Sequence, residues 1–237
     1  MAVDVPVAPA DPVEVRWRPL MRLGAIAAIV VLAMIPLQAA VFLLSPPPTT
    51  VTAYFALFQA NPLLGLLDLD LLLTIDYLVM IPFYLALYVL LRRREATLAL
   101  LGLTLGLFSL ALFFVSREAT FSMWQLSSQY AVADESGRAA LLASGQMLLT
   151  HYNGGTFGLS YLLGATSTLL FSIAMLRTQV FGRTAAVVGL VTGAAMLVPP
   201  NTGSVGLVVS MLSLIPTAVW LVLLAHGLLR TARSAHH

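Results

Sequence analysis

Six long apolar runs, separated by short polar hinges, dominate this chain. They are Leu23 to Leu44, Leu69 to Leu91, Ala96 to Ser116, Thr156 to Leu176, Thr184 to Val198 and Val205 to Leu229. A helix needs about 20 mostly apolar residues to cross the hydrocarbon core of a bilayer. Within lipid every backbone polar group must be satisfied internally, so runs of this length form helices. Composition agrees: 59% of residues are hydrophobic, 9% are charged, and mean hydropathy is +0.94, against roughly 45–50% and 25% in soluble chains. The expectation is an all-α, polytopic transmembrane bundle with six spans.

The hinges are Arg92-Arg93-Arg94-Glu95, Arg177-Thr178-Gln179 and Pro199-Pro200-Asn201-Thr202-Gly203. Pro-Pro-Asn followed by Gly is strong turn chemistry, so the last two runs are read as separate helices. The fifth run is short and is alternatively re-entrant or tilted, which would leave five spans. Residues 1–22 read as an N-terminal tail, 23–232 as the transmembrane domain and 233–237 as a C-terminal tail. A cleaved leader ending near Gln38-Ala39-Ala40 is the weaker reading, because the apolar run continues past it to Leu44.

Arginine bias sets the orientation. With the N-terminus in the cytoplasm, Arg16, Arg18, Arg22, Arg92, Arg93, Arg94, Arg177, Arg183, Arg230 and Arg233 all face inward, leaving Arg117 and Arg138 outside. Six spans and two cytoplasmic termini are mutually consistent, in a multi-pass protein of the cytoplasmic membrane. The net charge of +2 comes from these flanking arginines and does not indicate nucleic acid.

Two outer segments are too ordered in pattern to be plain loops. Thr49 to Leu67 follows Pro46-Pro47-Pro48 and reads as a short helix on the bilayer surface or packed on the bundle, broken at Asn61-Pro62. Residues 116–155 read as an external helical hairpin. Met123, Leu126 and Tyr130 mark one face of its first helix, Asp134 to Gly137 the turn, and Arg138 to His151 its second helix.

With no Cys, the chain has no thiol nucleophile, disulfide or Cys-ligated metal site. With no Lys, Schiff-base chemistry is excluded as well. No cofactor or metal site is read. The most informative residue is Asp76, about 10 Å inside the second span at 1.5 Å per residue. A carboxylate at such depth costs on the order of 2.5–3.5 kcal/mol. It must therefore face the bundle or a wet cavity, and either pair or stay protonated. Asp68 and Asp70 lie nearer the interface, where solvation is cheaper. Arg117 reaches Asp76 only as a stretched pair, and a water bridge between them or a pair with Asp68 instead fits equally well. Asp76, Arg117 and Asp68 form the candidate ligand or proton site, with Glu118, His151 and Asn201 as weaker candidates. His151, Tyr152 and Asn153 make a polar outer cluster. His226 lies near the opposite membrane face.

Small residues recur at helical spacing: Ser160, Gly164, Thr168 and Ser172, then Gly102 and Gly106, then Gly189 and Gly193. They read as faces for close helix packing, within the chain or in a homo-oligomer. Gly158-Leu159-Ser160-Tyr161 together with Ala225-His226-Gly227 imitates the Ser/His pair of rhomboid proteases. Counting along the spans separates Ser160 from His226 by roughly 25 Å, whereas a nucleophile and its base need contact.

Several segments together carry a family likeness: Tyr88 to Arg94, Arg138 to Ala143, Ser160 to Ala165, Phe181-Gly182-Arg183 and Val198-Pro199-Pro200. On these the chain resembles, over about residues 20–232, an uncharacterised family of bacterial six-span proteins of the domain-of-unknown-function type. The resemblance implies a helical bundle in the cytoplasmic membrane and implies no activity. The leading expectation is a non-enzymatic membrane module that binds a small-molecule or lipid ligand, or a partner membrane protein, from the outer side. A proton- or ion-coupled transporter using Asp76 is the alternative. A lipid-acting hydrolase built on His151, Glu118, Asp134 and Glu135 comes third.

Overall fold

The computed structural model describes residues 12–234, with ten α-helices and no strand among them. In chain order these are α1 (Pro12–Leu44), α2 (Val51–Ala60), α3 (Pro62–Asp68), α4 (Leu71–Leu91), α5 (Ala96–Ser116), α6 (Ala119–Val132), α7 (Glu135–Tyr152), α8 (Gly155–Thr178), α9 (Gly182–Ala195) and α10 (Gly203–Ser234). The first helix is already formed at Pro12, so the expected tail of residues 1–22 is partly helical; residues 1–11, like 235–237, lie outside the described residues.

Five stretches are long and apolar enough to cross a membrane: Arg16–Leu44, Leu71–Leu91, Ala96–Val132, Glu135–Thr178 and Gly203–Arg233. The protein is a multi-pass helical membrane protein. The expected fifth span, α9, has 14 residues, about 21 Å at 1.5 Å per residue, and falls short of that length. The stretches made by α5 with α6 and by α7 with α8 are 37 and 44 residues long. Straight helices of that length would exceed the roughly 30 Å hydrocarbon layer well before their ends.

The bundle core is formed by α1, α4, α5, α8, α9 and α10. Phe83, Leu87, Phe171, Met175, Leu221 and Leu224 are all fully enclosed there. Close approach depends on the small-residue faces. Ser167 Oγ donates to the Gly102 carbonyl at 2.6 Å and Ser109 Oγ to the Ser160 carbonyl at 2.7 Å, locking α5 against α8. A methyl group at Gly106 would meet Ser167 Oγ at 2.9 Å. At Gly189 it would run into Ser172 Oγ and the Trp220 indole, where α8, α9 and α10 meet. The small residues of these helices thus face one another within one chain.

Most of the arginines gather at one end of the bundle. Arg92 lies over the Trp17 and Tyr88 rings, Arg94 Nη1 donates to the Thr178 carbonyl at 3.0 Å, and Arg177 lies 3.6 Å from Glu95 in a largely exposed ion pair. At the opposite end α6 and α7 pair as a helical hairpin. Asp134 caps α7 by accepting from the Gly137 N–H at 2.8 Å. On this hairpin sit α2 and α3, through Val51, Tyr54, Phe55, Phe58, Leu69 and Met123. The Thr49 to Leu67 segment thus forms two short helices packed against the hairpin. Thr50 and Asn61 cap its two short helices by accepting from Ala53 N–H and Leu64 N–H. Gln59 Nε2 donates to the Ser127 carbonyl and Ser127 Oγ to the Phe55 carbonyl, cross-linking α2 to α6.

Candidate functional site

The site is built from the outside of the bundle inward. Arg117 stands at the break between α5 and α6, with its side chain only 5% exposed. Its Nε is 3.0 Å from Asp70 Oδ2, and its Nη1 donates to the Tyr152 carbonyl at 2.9 Å. The guanidinium is enclosed by three rings, with centroids at 4.7 Å (Phe113), 4.0 Å (Tyr152) and 4.4 Å (Phe157). Such stacking suits a planar, weakly hydrated cation. The Tyr152 hydroxyl donates to the same Asp70 oxygen.

This pairing corrects the expectation for Arg117, whose foreseen partners were Asp76 or Asp68. Asp70 occupies the turn between α3 and α4 with φ 63° and ψ 33°. That left-handed conformation is rare for non-glycine residues, and Asp is among those that tolerate it. Thr120 Oγ1 donates to the Leu69 carbonyl and Thr74 Oγ1 to the Asp70 carbonyl, tying the turn from both sides. Asp70, expected near the interface and easily solvated, is instead 5% exposed. Burial pushes its carboxyl above the ordinary range, while Arg117 and the Tyr152 hydroxyl pull it back. Asp68 turns away toward α1, where it accepts from Ser45 Oγ at 3.5 Å. Its Oδ1 is buried without a hydrogen bond, and burial raises its carboxyl, opposed by Ser45. It lines neither of the cavities described next.

Two cavities lie one behind the other. The first, about 330 Å³, is walled by Asp70, Arg117, Tyr152, Asn153, Phe157 and Asn201, among others. Asn201 also ties the turn before α10 to the α7–α8 junction, donating through Nδ2 to the Asn153 and Gly154 carbonyls at 3.1 and 3.2 Å. The second, about 210 Å³, lies between the helices of the core and holds Asp76. Leu73, Tyr77, Tyr161 and Leu214 border both, so these four side chains form the partition between an outer vestibule and an inner chamber.

Asp76 is 8% exposed, and its Oδ1 has no hydrogen-bond partner. The chamber wall carries the Ser and Thr hydroxyls of Ser109, Thr168, Thr192, Ser213 and Thr217, and no Arg or His. Ser109, Thr168, Ser213 and Thr217 already donate to backbone carbonyls, whereas Thr192 Oγ1 is buried and unbonded. Behind Asp76 a pocket of about 30 Å³ separates it from Gln38, whose amide nitrogen and oxygen are also buried and unbonded. That volume suits a water molecule or two between polar partners.

The remaining candidates fall elsewhere. Glu118 and His151 face a separate open groove of about 750 Å³ between α6 and α7, and Glu118 accepts from Ser122 Oγ. No group of three metal-ligating side chains exists among the described residues. Ser160 donates to the Phe157 carbonyl. It lies near the Gly158–Asn201 contact, whereas His226 precedes Gly227, whose Cα faces Phe181 near the arginine-rich end. The rhomboid-like pair is therefore separated in space, as the helix count indicated. Missed by the sequence reading were Asp70 as the arginine's partner, Phe113 and Phe157 as its cage, and Gln38, Tyr77 and Trp220 around Asp76. Phe113 had a usable signal, since it stands one helical turn before Arg117; the others are brought together only by tertiary packing.

The sequence matches the family model described as Domain of unknown function (DUF4386) over residues 23–232. The chain belongs to that family. No curated protein and no solved structure matches it.

Proposed function

We propose that this member of the DUF4386 family is a non-enzymatic membrane module that takes up a small ligand from the Arg117 side of the bilayer, with Asp76 at the bottom of the site. The observation that carries this reading is the vestibule and chamber sharing the partition of Leu73, Tyr77, Tyr161 and Leu214. A concave, mostly apolar space with a few convergent polar groups is the usual form of a small-molecule site. The Arg117–Asp70–Tyr152 network holds the α3–α4 turn at the mouth and keeps the vestibule walls in register.

The same reading includes the orientation. Ten of the twelve arginines face the cytoplasm, and the α6–α7 hairpin and the vestibule face outward in the cytoplasmic membrane. It also includes a sixth crossing by α9 and the turn that follows it. Phe181, just before α9, lies against Gly227 near the arginine-rich end, and Asn201, after it, is bonded at the Arg117 end. Twenty residues separate the two, about 30 Å at helical rise.

Because the natural chain has no Cys, a single thiol tests access cleanly. Leu214→Cys, in the partition, is expected to react with a small membrane-impermeant thiol reagent added from outside intact cells. A thiol there that reacts only when the reagent reaches the cytoplasmic face, or does not react at all, contradicts the reading.

A proton- or ion-coupled transporter is the second reading, favoured by the lone embedded carboxylate with an unbonded oxygen. Ion or proton flux in proteoliposomes, abolished by Asp76→Asn, would move it ahead; absence of flux in the wild-type protein would remove it.

A further inference from the structure

The inner chamber combines an unpaired carboxylate, a wall without basic side chains and several aromatic rings, and that combination points to its ligand. The Ser109 hydroxyl gives its single proton to the Ser160 carbonyl, Thr168 to Gly164, Ser213 to Ser210 and Thr217 to Ser213. A hydroxyl has one proton and two lone pairs. These four groups therefore offer the chamber acceptors, while Thr192 Oγ1 and Trp220 Nε1, buried and unbonded in the same wall, can donate. Asp76 Oδ1 adds another acceptor, buried and unbonded. The wall includes no basic side chain. Its aromatic part is Tyr77, Tyr84, Tyr161 and Trp220, and the faces of such rings attract cations. A buried carboxylate with no cationic partner is costly at this depth, and a ligand that brings the positive charge removes the cost.

We infer that the chamber binds a small organic ammonium ion, its N–H groups or its charge directed at Asp76 and its apolar body against the rings. The inference rests on the reading of the two cavities as a ligand site and adds the chemical class of the ligand. Size sets the scale. An apolar cavity of about 150 Å³ accommodates benzene, so a chamber of about 210 Å³ takes a molecule with one ring. The vestibule imposes no charge barrier, since Arg117 is already neutralised by Asp70.

The test uses full-length protein in nanodiscs and two probes of nearly equal size and shape, benzylammonium and benzyl alcohol, titrated by calorimetry. The ammonium ion is expected to bind wild type about tenfold or more tightly than the alcohol, a difference of about 1.4 kcal/mol. Asp76→Asn, which preserves shape, is expected to abolish that preference by weakening ammonium binding, with an unfolding temperature no lower than that of wild type. Equal binding of the two probes overturns the cationic assignment, as does a preference that survives in Asp76→Asn. Binding of neither probe also overturns it. Labelling of Leu214→Cys then decides separately whether the cavity reading stands: a reactive thiol keeps the site and discards only the ligand class.

Discussion

At the scale of single residues, the strongest structural commitment is the Asp70–Arg117 pair. Removing one partner of a buried ion pair leaves an uncompensated charge and costs about 3–5 kcal/mol. Asp70→Ala is therefore expected to lower unfolding stability in detergent by that order. Adding Arg117→Met to it is expected to recover a large part, because the two positions share one network. Additive losses in denaturant titrations would show that the pair is incidental. Asp68 has the opposite sign. Its carboxyl is raised above the ordinary 3.8 by burial, so the folded state prefers it protonated. Its contribution is most favourable below that value and is lost as pH rises through the raised folded pKa. Asp68→Asn is expected to raise the unfolding temperature at pH 7 and to have little effect near pH 3; an equal shift at both pH values would rule out titration as the cause. None of this was legible in the sequence. Asp68, Asp70 and Asp76 are three acids within nine positions, and which of them meets Arg117 depends on a left-handed turn at Asp70 that no local pattern announces. Asp76 was legible, because an acid within an apolar run is an outlier whatever its neighbours are.

Among the elements, close packing is carried by small residues whose spacing was visible along the chain. Ser160, Gly164, Thr168 and Ser172 form a buried face of α8, as their four-residue spacing indicated. Gly189 is the most crowded of the glycines in these faces, since any side chain there meets both Ser172 and Trp220. Gly189→Ala is expected to destabilise the protein by about 1–3 kcal/mol through overpacking, measured by thermal unfolding, and to disturb the chamber through Trp220. A neutral effect would mean that α9 moves freely against α8 and α10. The length of α9 was the least legible feature. The sequence reading carried helix from Thr184 to Val198, whereas the structure ends it at Ala195. Met196 to Thr202 complete the passage as turns leading into Pro199-Pro200, and turns carry no hydrophobic periodicity. The hairpin of α6 and α7 was easier, since Asp134 capping and the Met123–Leu126–Tyr130 face are local signals.

For the whole molecule, composition and the long apolar runs are enough to expect a multi-pass helical bundle, and five stretches of the structure are long and apolar enough to cross a membrane. With α9 and its turn as a sixth crossing, reporter tags on the two termini are expected to lie on the same, cytoplasmic side; tags on opposite sides would mean that α9 does not cross. The candidate site at this scale is a vestibule and a chamber with one carboxylate in the inner of the two, and the chamber draws on six helices spread across the chain. Such a site leaves only isolated traces along the sequence, which is why Asp76 could be named while Gln38, Tyr77 and Trp220 could not. The central claim is that Asp76 meets the ligand, and the carboxyl infrared band of that residue, isolated by subtracting Asp76→Asn spectra from wild type, measures it most directly. Adding benzylammonium to wild-type protein in nanodiscs is expected to shift that band. A band that does not respond to a ligand bound at saturation would contradict the claim.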